Sequence, residues 1–288
     1  MKKSKCMLLG AMSIFGTVGI FKTCIPMGAG MVAFARGILG VLFLLLVMLV
    51  LKQKFDKAAI GKNLKLLCLS GAAIGFNWVL LFESFDYTSV ATATVCYYMA
   101  PLFLILASPL VGERLSGKKL LCVGVALVGL VFVSGMMDGG IPGLSELKGV
   151  GLALGAALLY ASVMVLNKRL SPIPAYDKTV VQLSAAALVL MPYIFLTGGA
   201  DTSAMTATGW VLLLVVGFVH TGLAYAMYFG SMKDLEAHTI AIFSYLDPVI
   251  AVLLSALWLR EPLSVWGITG TVLILGSALC SELPERNK

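Results

Sequence analysis

Ten runs of about 20 mostly apolar residues, each long enough to cross a bilayer's hydrocarbon core as a helix, decide what this chain can fold into. They span 6–25, 29–51, 64–85, 89–111, 119–137, 149–167, 179–197, 209–230, 238–259 and 265–281, with Gly, Pro and charged residues between them. Lipid offers the backbone no hydrogen-bond partner, so a spanning segment must be a helix or part of a closed barrel. Runs this long and continuous read as helices. Charged residues make up only 12% of the 288, where a soluble domain carries about 25%. The fold class expected is therefore an all-α polytopic membrane protein with ten transmembrane helices. The first run follows Met1-Lys-Lys-Ser-Lys, as a secretory signal would. It exceeds a signal core and lacks a small-residue cleavage site, so it reads as a retained helix.

Charge sets the expected orientation. Seventeen of the 21 basic residues fall on the side that carries both termini, leaving Lys22, Arg36, Lys148 and Arg260 elsewhere. The positive-inside bias then places both termini in the cytoplasm of a multi-pass plasma-membrane protein. The net charge of +7 is dispersed between apolar runs rather than gathered in one patch, which argues against nucleic-acid binding. Six cysteines are scattered singly without ligand spacing. No metal site or disulfide framework is expected, and the thiols read as buried.

Two segments echo each other. Tyr98-Met-Ala-Pro101 is followed by Gly112-Glu113-Arg114-Leu115-Ser116; Tyr245-Leu-Asp-Pro248 is followed by Arg260-Glu261-Pro262-Leu263-Ser264. Tyr-x-x-Pro and Glu-x-Leu-Ser thus recur in order, with one residue more between them in the second copy. Five helices per half make the second copy enter the membrane upside down, the inverted repeat of secondary transporters. The expected units are 1–140 and 141–288. With Ala35-Arg36-Gly37 in the second run, these motifs resemble the EamA type of the drug/metabolite transporter superfamily over essentially the whole length. That resemblance implies a ten-helix permease with a central cavity between its halves, in a family many of whose members export amino acids, related metabolites or toxic compounds.

Ionisable side chains at membrane depth need a reason and a partner. Arg36 stands roughly 10 Å inside the outer end of its helix, at 1.5 Å rise per residue. Lys22 and Glu83 lie near the same face. Either cation paired with Glu83 would fix packing; left free, Lys22 and Arg36 would floor a site for an anionic or carboxylate-bearing substrate. His220 and Asp247 fall near the midplane and are the candidates for proton coupling within one network. Both also have local structural readings: a helix-to-helix hydrogen bond for His220, and a place beside the helix-loosening Pro248 for Asp247.

Asn77, Trp78, Tyr97, Tyr98, Tyr160, Tyr225, Tyr228 and Tyr245 lie at comparable depth, too deep for an interface belt. Each singly reads as packing. Together they outline an amphipathic cavity able to hold an ammonium by cation–π contact and to wet a carboxylate. Asn77, Trp78 and Tyr98 are the substrate-binding candidates of that set, beside Lys22, Arg36, His220 and Asp247. Gly71, Gly75, Gly151 and Gly155 are expected at close helix contacts. No phosphate-binding loop, catalytic motif or cofactor signature occurs. The expected function is export of amino-acid-like or amphipathic small molecules, with uptake or exchange of a carboxylate- or phosphate-bearing metabolite as the alternative. The expected surroundings are a small-molecule substrate and the lipid bilayer, with the chain a monomer or a homodimer.

Overall fold

The computed structural model describes residues 2–107, 109, 116–134, 136–137, 143–232, 235 and 237–283. Among them the regular structure is entirely helical: α1 (Lys2–Thr23), α2 (Ala29–Val50), α3 (Lys57–Ser84), α4 (Val90–Tyr97), α5 (Ala100–Leu106), α6 (Gly117–Val133), α7 (Leu144–Lys168), α8 (Ala175–Leu196), α9 (Ala207–Val215), a π-helical stretch (Val216–Leu223), α10 (Ala224–Met232), α11 (Ala237–Ser244), α12 (Leu246–Leu257) and α13 (Val265–Glu282). Seven helical stretches among the described residues are long and apolar enough to cross a membrane. The shorter apolar helices Val90–Leu106 and Ile242–Leu257 accompany them.

Leucine and valine crowd the outer surface: Leu196 is 87% exposed and Val265 78%. Water would drive such side chains inward; lipid does not, and the chain is a multi-pass membrane protein. Four of the six cysteines, Cys6, Cys24, Cys68 and Cys280, share this outer surface, and only Cys96 and Cys122 are buried. That corrects the expectation of buried thiols, because a weakly polar thiol is at ease facing hydrocarbon.

Helix limits follow caps rather than apolar content. Asp56 accepts from the Ala59 N–H at 2.9 Å, so α3 starts at Lys57, seven residues before its apolar run. Ser116 and Ser264 accept from the N–H groups of Lys119 and Gly267 and thereby start α6 and α13. The serine of the recurring Glu-x-Leu-Ser is thus a helix N-cap in both copies.

The fourth and ninth runs are not continuous helices. Each breaks at its motif tyrosine, α4 giving way to α5 after Tyr97 and α11 to α12 at Tyr245. Pro101 and Pro248 cause this: a proline has no N–H to donate, and its ring excludes the carbonyl one turn earlier. The eighth run stays helical but widens into the π-helical stretch between α9 and α10.

Several helix contacts recur between the two halves of the chain. α3 lies on α7 and α8 as α10 and the π stretch lie on α1 and α2, while α2 packs on α8 and α6 on α13. The α2–α8 and α6–α13 pairs run antiparallel. Gly30 faces Tyr193 and Gly40 faces Leu183. Lys118 Nζ donates to the Leu283 carbonyl at 2.8 Å, and the Phe132 and Trp266 rings meet edge to face with centres 5.1 Å apart.

Polar side chains tie α3, α7 and α8 together. Gln182 Nε2 donates to Ser70 Oγ at 2.6 Å and to Asn167 Oδ1 at 2.8 Å. Asn63 exchanges two hydrogen bonds with the Ser171 backbone at 2.9 and 3.2 Å. Gly71 lies against the Gln182 carbonyl and Gly75 against Ala186 and Leu190, as expected of close-approach glycines. A side chain at Gly151 would meet nothing within 4 Å, which removes that residue from the packing set.

Gly71→Leu is expected to cost roughly 1–3 kcal/mol by forcing α3 off α8. Gly151→Leu, pointing into open space, should leave thermal unfolding in detergent unchanged or raised. Equal shifts for the two variants would contradict this packing account.

Candidate substrate site

Arg36 is buried in α2, only 5% exposed. Its guanidinium carbon lies 4.0 Å from the Trp78 ring centre and 5.2 Å from that of Phe82, both on α3. Its Nε donates to Thr221 Oγ1 at 3.0 Å, and that hydroxyl in turn donates to the Val216 carbonyl at 3.1 Å. The wide π turn places Thr221 there. Gly217 and Gly222 let the stretch lie directly on Leu39 and Phe43 of α2, where any side chain would collide.

No carboxylate pairs with Arg36; among the described residues the single ion pair is Lys22 Nζ with Asp86 Oδ1 at 2.6 Å. The expected pairing of Arg36 or Lys22 with Glu83 is thereby corrected. Glu83 still lies within the last turn of α3, whereas Asp86 follows the helix end in the turn that faces α1. Lys22 is occupied by Asp86, away from the aromatic cluster.

Asp247, at the start of α12, accepts from the Tyr98 hydroxyl at 2.8 Å. Tyr98 lies at the α4–α5 break, its ring 6.0 Å from Tyr245 at the α11–α12 break and 6.2 Å from Tyr97. Tyr97 stacks on Tyr160 of α7 at 5.6 Å and donates to Asn77 Oδ1 at 3.4 Å. Asn77 Nδ2 donates to the Ala156 carbonyl at 2.5 Å, so α3, α4 and α7 meet at one amide. Tyr97 is within electrostatic reach of both Arg36 and Asp247. Arg36, Asn77, Trp78, Tyr98 and Asp247 are thus brought into one neighbourhood with Tyr97, Tyr160 and Tyr225.

Tyr160 shows where this neighbourhood opens. On α7 it follows Ala153 and Ala157 along one stripe, both 0% exposed, yet it keeps 37% of its own surface open. Its surroundings include Tyr97, Tyr225, Tyr228 and Asp247. Free surface on a helix's buried face, ringed by polar groups from both halves, opens inward rather than to lipid.

His220 stands next to this group without touching Asp247. Its Nε2 is 2.8 Å from Thr17 Oγ1, its Nδ1 3.3 Å from the Val215 carbonyl, and its ring centre 4.6 Å from that of Phe21. Helix α1 joins the two sites, since Thr17 holds His220 while Gly16 lies against the Asp247 backbone carbonyl.

Several contributors escaped the sequence reading. Thr17 and Thr221 carry no charge to signal them, and Asp86 lies just past an apolar run. Glu261, from the second Glu-x-Leu-Ser, accepts from the Val90 N–H at 3.0 Å and from the Ser255 hydroxyl. It joins the α12–α13 turn to the start of α4. With the Lys22–Asp86 pair and Lys148 Nζ lying 3.7 Å from the Tyr87 ring centre, it holds the 85–90 turn at three points. Its counterpart in the first copy, Glu113-Arg114, lies outside the described residues.

Comparison with known proteins is consistent throughout the chain. The EamA-like transporter family model matches it twice, over residues 2–135 and 147–282. An uncharacterized transporter of Bacillus subtilis is 30% identical over 281 residues, covering 96% of this chain and 89% of that protein. Protein RarD of Salmonella typhi is 27% identical over 69% of this chain and 66% of its own. A protein of Escherichia coli named as a biotin transporter is 26% identical over 75% of this chain and 73% of its own. One crystal structure aligns with a TM-score of 0.67 at 18% identity, covering 98% of this chain and 97% of that one, which bears on the fold alone. Two copies of the family domain, filling nearly all of a polytopic helical chain, make this protein a member of the EamA-like transporter family.

Proposed function

We propose that the chain is a secondary-active permease exporting amino-acid-like or amphipathic small metabolites by alternating access. Its ten membrane-spanning segments form two inverted five-helix repeats, 1–140 and 141–288, with both termini in the cytoplasm of a plasma-membrane protein. The antiparallel α2–α8 and α6–α13 pairs support the inversion. A two-fold axis lying across the helices makes each helix antiparallel to its counterpart, whereas an axis along them would make the pair parallel.

The observation that carries the substrate reading is a pair of unmatched charges. Arg36 has no carboxylate partner and Asp247 no cation among the described residues, and Tyr97 lies within electrostatic reach of both. A zwitterion supplies what each lacks: its carboxylate to Arg36, its ammonium to Asp247 and the tyrosine faces. Trp78 and Thr221 hold Arg36, Tyr98 holds Asp247, and Asn77 fixes Tyr97. Lys22 falls outside this scheme, since Asp86 neutralises it.

Counterflow of labelled amino acids and related amines in proteoliposomes tests the reading. Arg36→Gln and Asp247→Asn should each lower zwitterion exchange by more than tenfold, because removing one partner of a desolvated charge pair typically costs about 2–5 kcal/mol. Exchange untouched by both variants would remove the site from these residues.

The second reading, uptake or exchange of an anionic metabolite, rests on the unpaired Arg36 and gains from the relative named as a biotin transporter. It predicts that Asp247→Asn spares transport of a simple carboxylate while Arg36→Gln abolishes it.

Proton coupling is assigned to His220 and Asp247. Thr17 donates to the Ile14 carbonyl at 2.8 Å, so its oxygen is left to accept from His220 Nε2, while Nδ1 faces the Val215 carbonyl. A neutral imidazole can donate to only one of these oxygens, and an imidazolium to both. His220→Gln should flatten the pH dependence of counterflow. An unchanged profile would exclude this route.

A further inference from the structure

α2 passes from a lipid-facing flank to a cluster of lysines within one turn. Leu49, Val50 and Leu51 are 74%, 72% and 53% exposed. Lys52, Lys54 and Lys57 follow at once, all exposed, with Phe55 among them at 40%. Side chains so close to the end of an apolar span stand at the level of lipid headgroups. The Lys52 backbone is left-handed, with φ 52°, and the Gln53 N–H reaches the Met48 carbonyl at 2.8 Å. Glycine normally makes this helix stop, because a Cβ is penalised there, yet here the position carries a lysine. The nearby acids are already engaged. Asp56 caps α3, accepting from the Ala59 N–H at 2.9 Å, and Asp177 of α8, only 1% exposed, accepts from the Asp56 N–H at 2.8 Å. None of the three lysines forms an ion pair among the described residues. The Asp177 bond pins the turn onto α8, and the bonds between Asn63 and the Ser171 backbone bring the end of α7, with Lys168 and Arg169, to the same end of the bundle.

We propose that Lys52, Lys54 and Lys57, together with Phe55, form a docking surface for the headgroups of anionic phospholipids where α2 ends. The ammonium groups meet the lipid phosphates, while Phe55 and Leu51 enter the boundary of the acyl region beside them. Lipid is the partner because the patch continues the exposed apolar flank of α2 without a break. A soluble polyanion would leave Phe55 and Leu51 in water. The lysine at a glycine position fits the same account, since its attraction for phosphate offsets the strain of its backbone. This surface is independent of what the permease carries.

The test is native mass spectrometry of the full-length protein in detergent, titrated with phosphatidylglycerol and with phosphatidylcholine of the same acyl chains. The wild type is expected to hold the anionic lipid about tenfold or more tightly than the zwitterionic one. Changing Lys52, Lys54 and Lys57 together to glutamine should abolish that preference. Changing Lys2, Lys3 and Lys5 together to glutamine removes as much charge elsewhere and should leave it intact. Lys52→Gly decides the matter even if the triple variant fails to fold: relieved of backbone strain, it should unfold at a higher temperature in lipid-free detergent, yet bind phosphatidylglycerol about threefold or more weakly. Equal retention of the two lipids by the wild type overturns the surface. So does undiminished binding by the folded triple variant or by Lys52→Gly, or an equal loss in the N-terminal variant, which would assign the preference to net charge alone. Displacement of phosphatidylglycerol by soluble glycerol phosphate would give these lysines a soluble ligand and overturn the lipid assignment.

Discussion

Lipid removes the usual reason for helices to associate, since burying a leucine against another helix gains little over leaving it in hydrocarbon. What holds this bundle is close backbone approach and the hydrogen bonds that hydrocarbon cannot replace. Gly71 on the Gln182 carbonyl and Gly129 against Gly270 provide the first. Gln182 with Ser70 and Asn167, and Asn77 with the Ala156 carbonyl, provide the second. The site depends on the same contacts. Asn77 fixes the rotation of α3, which brings the adjacent Trp78 onto Arg36; the amide that fastens α3 to α7 also sets the cation's aromatic bed.

Regular helix is interrupted where the chemistry gathers. Tyr98 lies at one break, Tyr245 and Asp247 at another, and His220 and Thr221 within the π stretch. Irregular backbone at membrane depth survives only inside protein or against a water-filled space, because its polar groups must still be satisfied. Here they are: the Tyr98 N–H reaches Thr94 and Val95 carbonyls, both at 3.1 Å, and the Met99 N–H reaches Cys96 at 3.1 Å. The tightened turn rotates the phenol out of the α4 register and onto Asp247. Proline and glycine therefore do more for the site than their inert side chains imply.

The fold was largely legible in the sequence because lipid imposes a length and a polarity that few other environments do. Apolar runs located the helices, and the duplicated Tyr-x-x-Pro and Glu-x-Leu-Ser disclosed the repeat. What the runs could not give was continuity, since a break inside an apolar stretch changes no hydropathy and only Pro101 and Pro248 hinted at it. Arg36 and Asp247 were visible as charges where charges are costly. Their partners were not: Thr221 reaches Arg36 across 185 residues of chain, and Asp86, not Glu83, takes Lys22 because Glu83 is still inside α3 while Asp86 lies in the turn beyond its end. The π stretch has no compositional mark beyond Gly217 and Gly222, whose role depends on Leu39 and Phe43.

The halves repeat as scaffold and differ as chemistry. Counted from the motif tyrosines, Asp247 corresponds to Ala100; counted from the first residues of α2 and α8, Arg36 corresponds to Gln182. Gln182 is neutral and satisfied by Ser70 and Asn167, whereas Arg36 is charged and lacks a counter-ion among the described residues. On the proposed reading this division has a physical basis. Alternating access needs two conformations of similar energy, and a repeated backbone supplies them because opening one end repeats the rearrangement that opens the other. A substrate needs only one binding polarity, and duplicating Arg36 or Asp247 across the axis would set like charges near each other in a low-dielectric interior. Evolution of a repeat into a carrier is then expected to keep the tyrosine, proline and capping serine in both copies while leaving each ionisable group in only one.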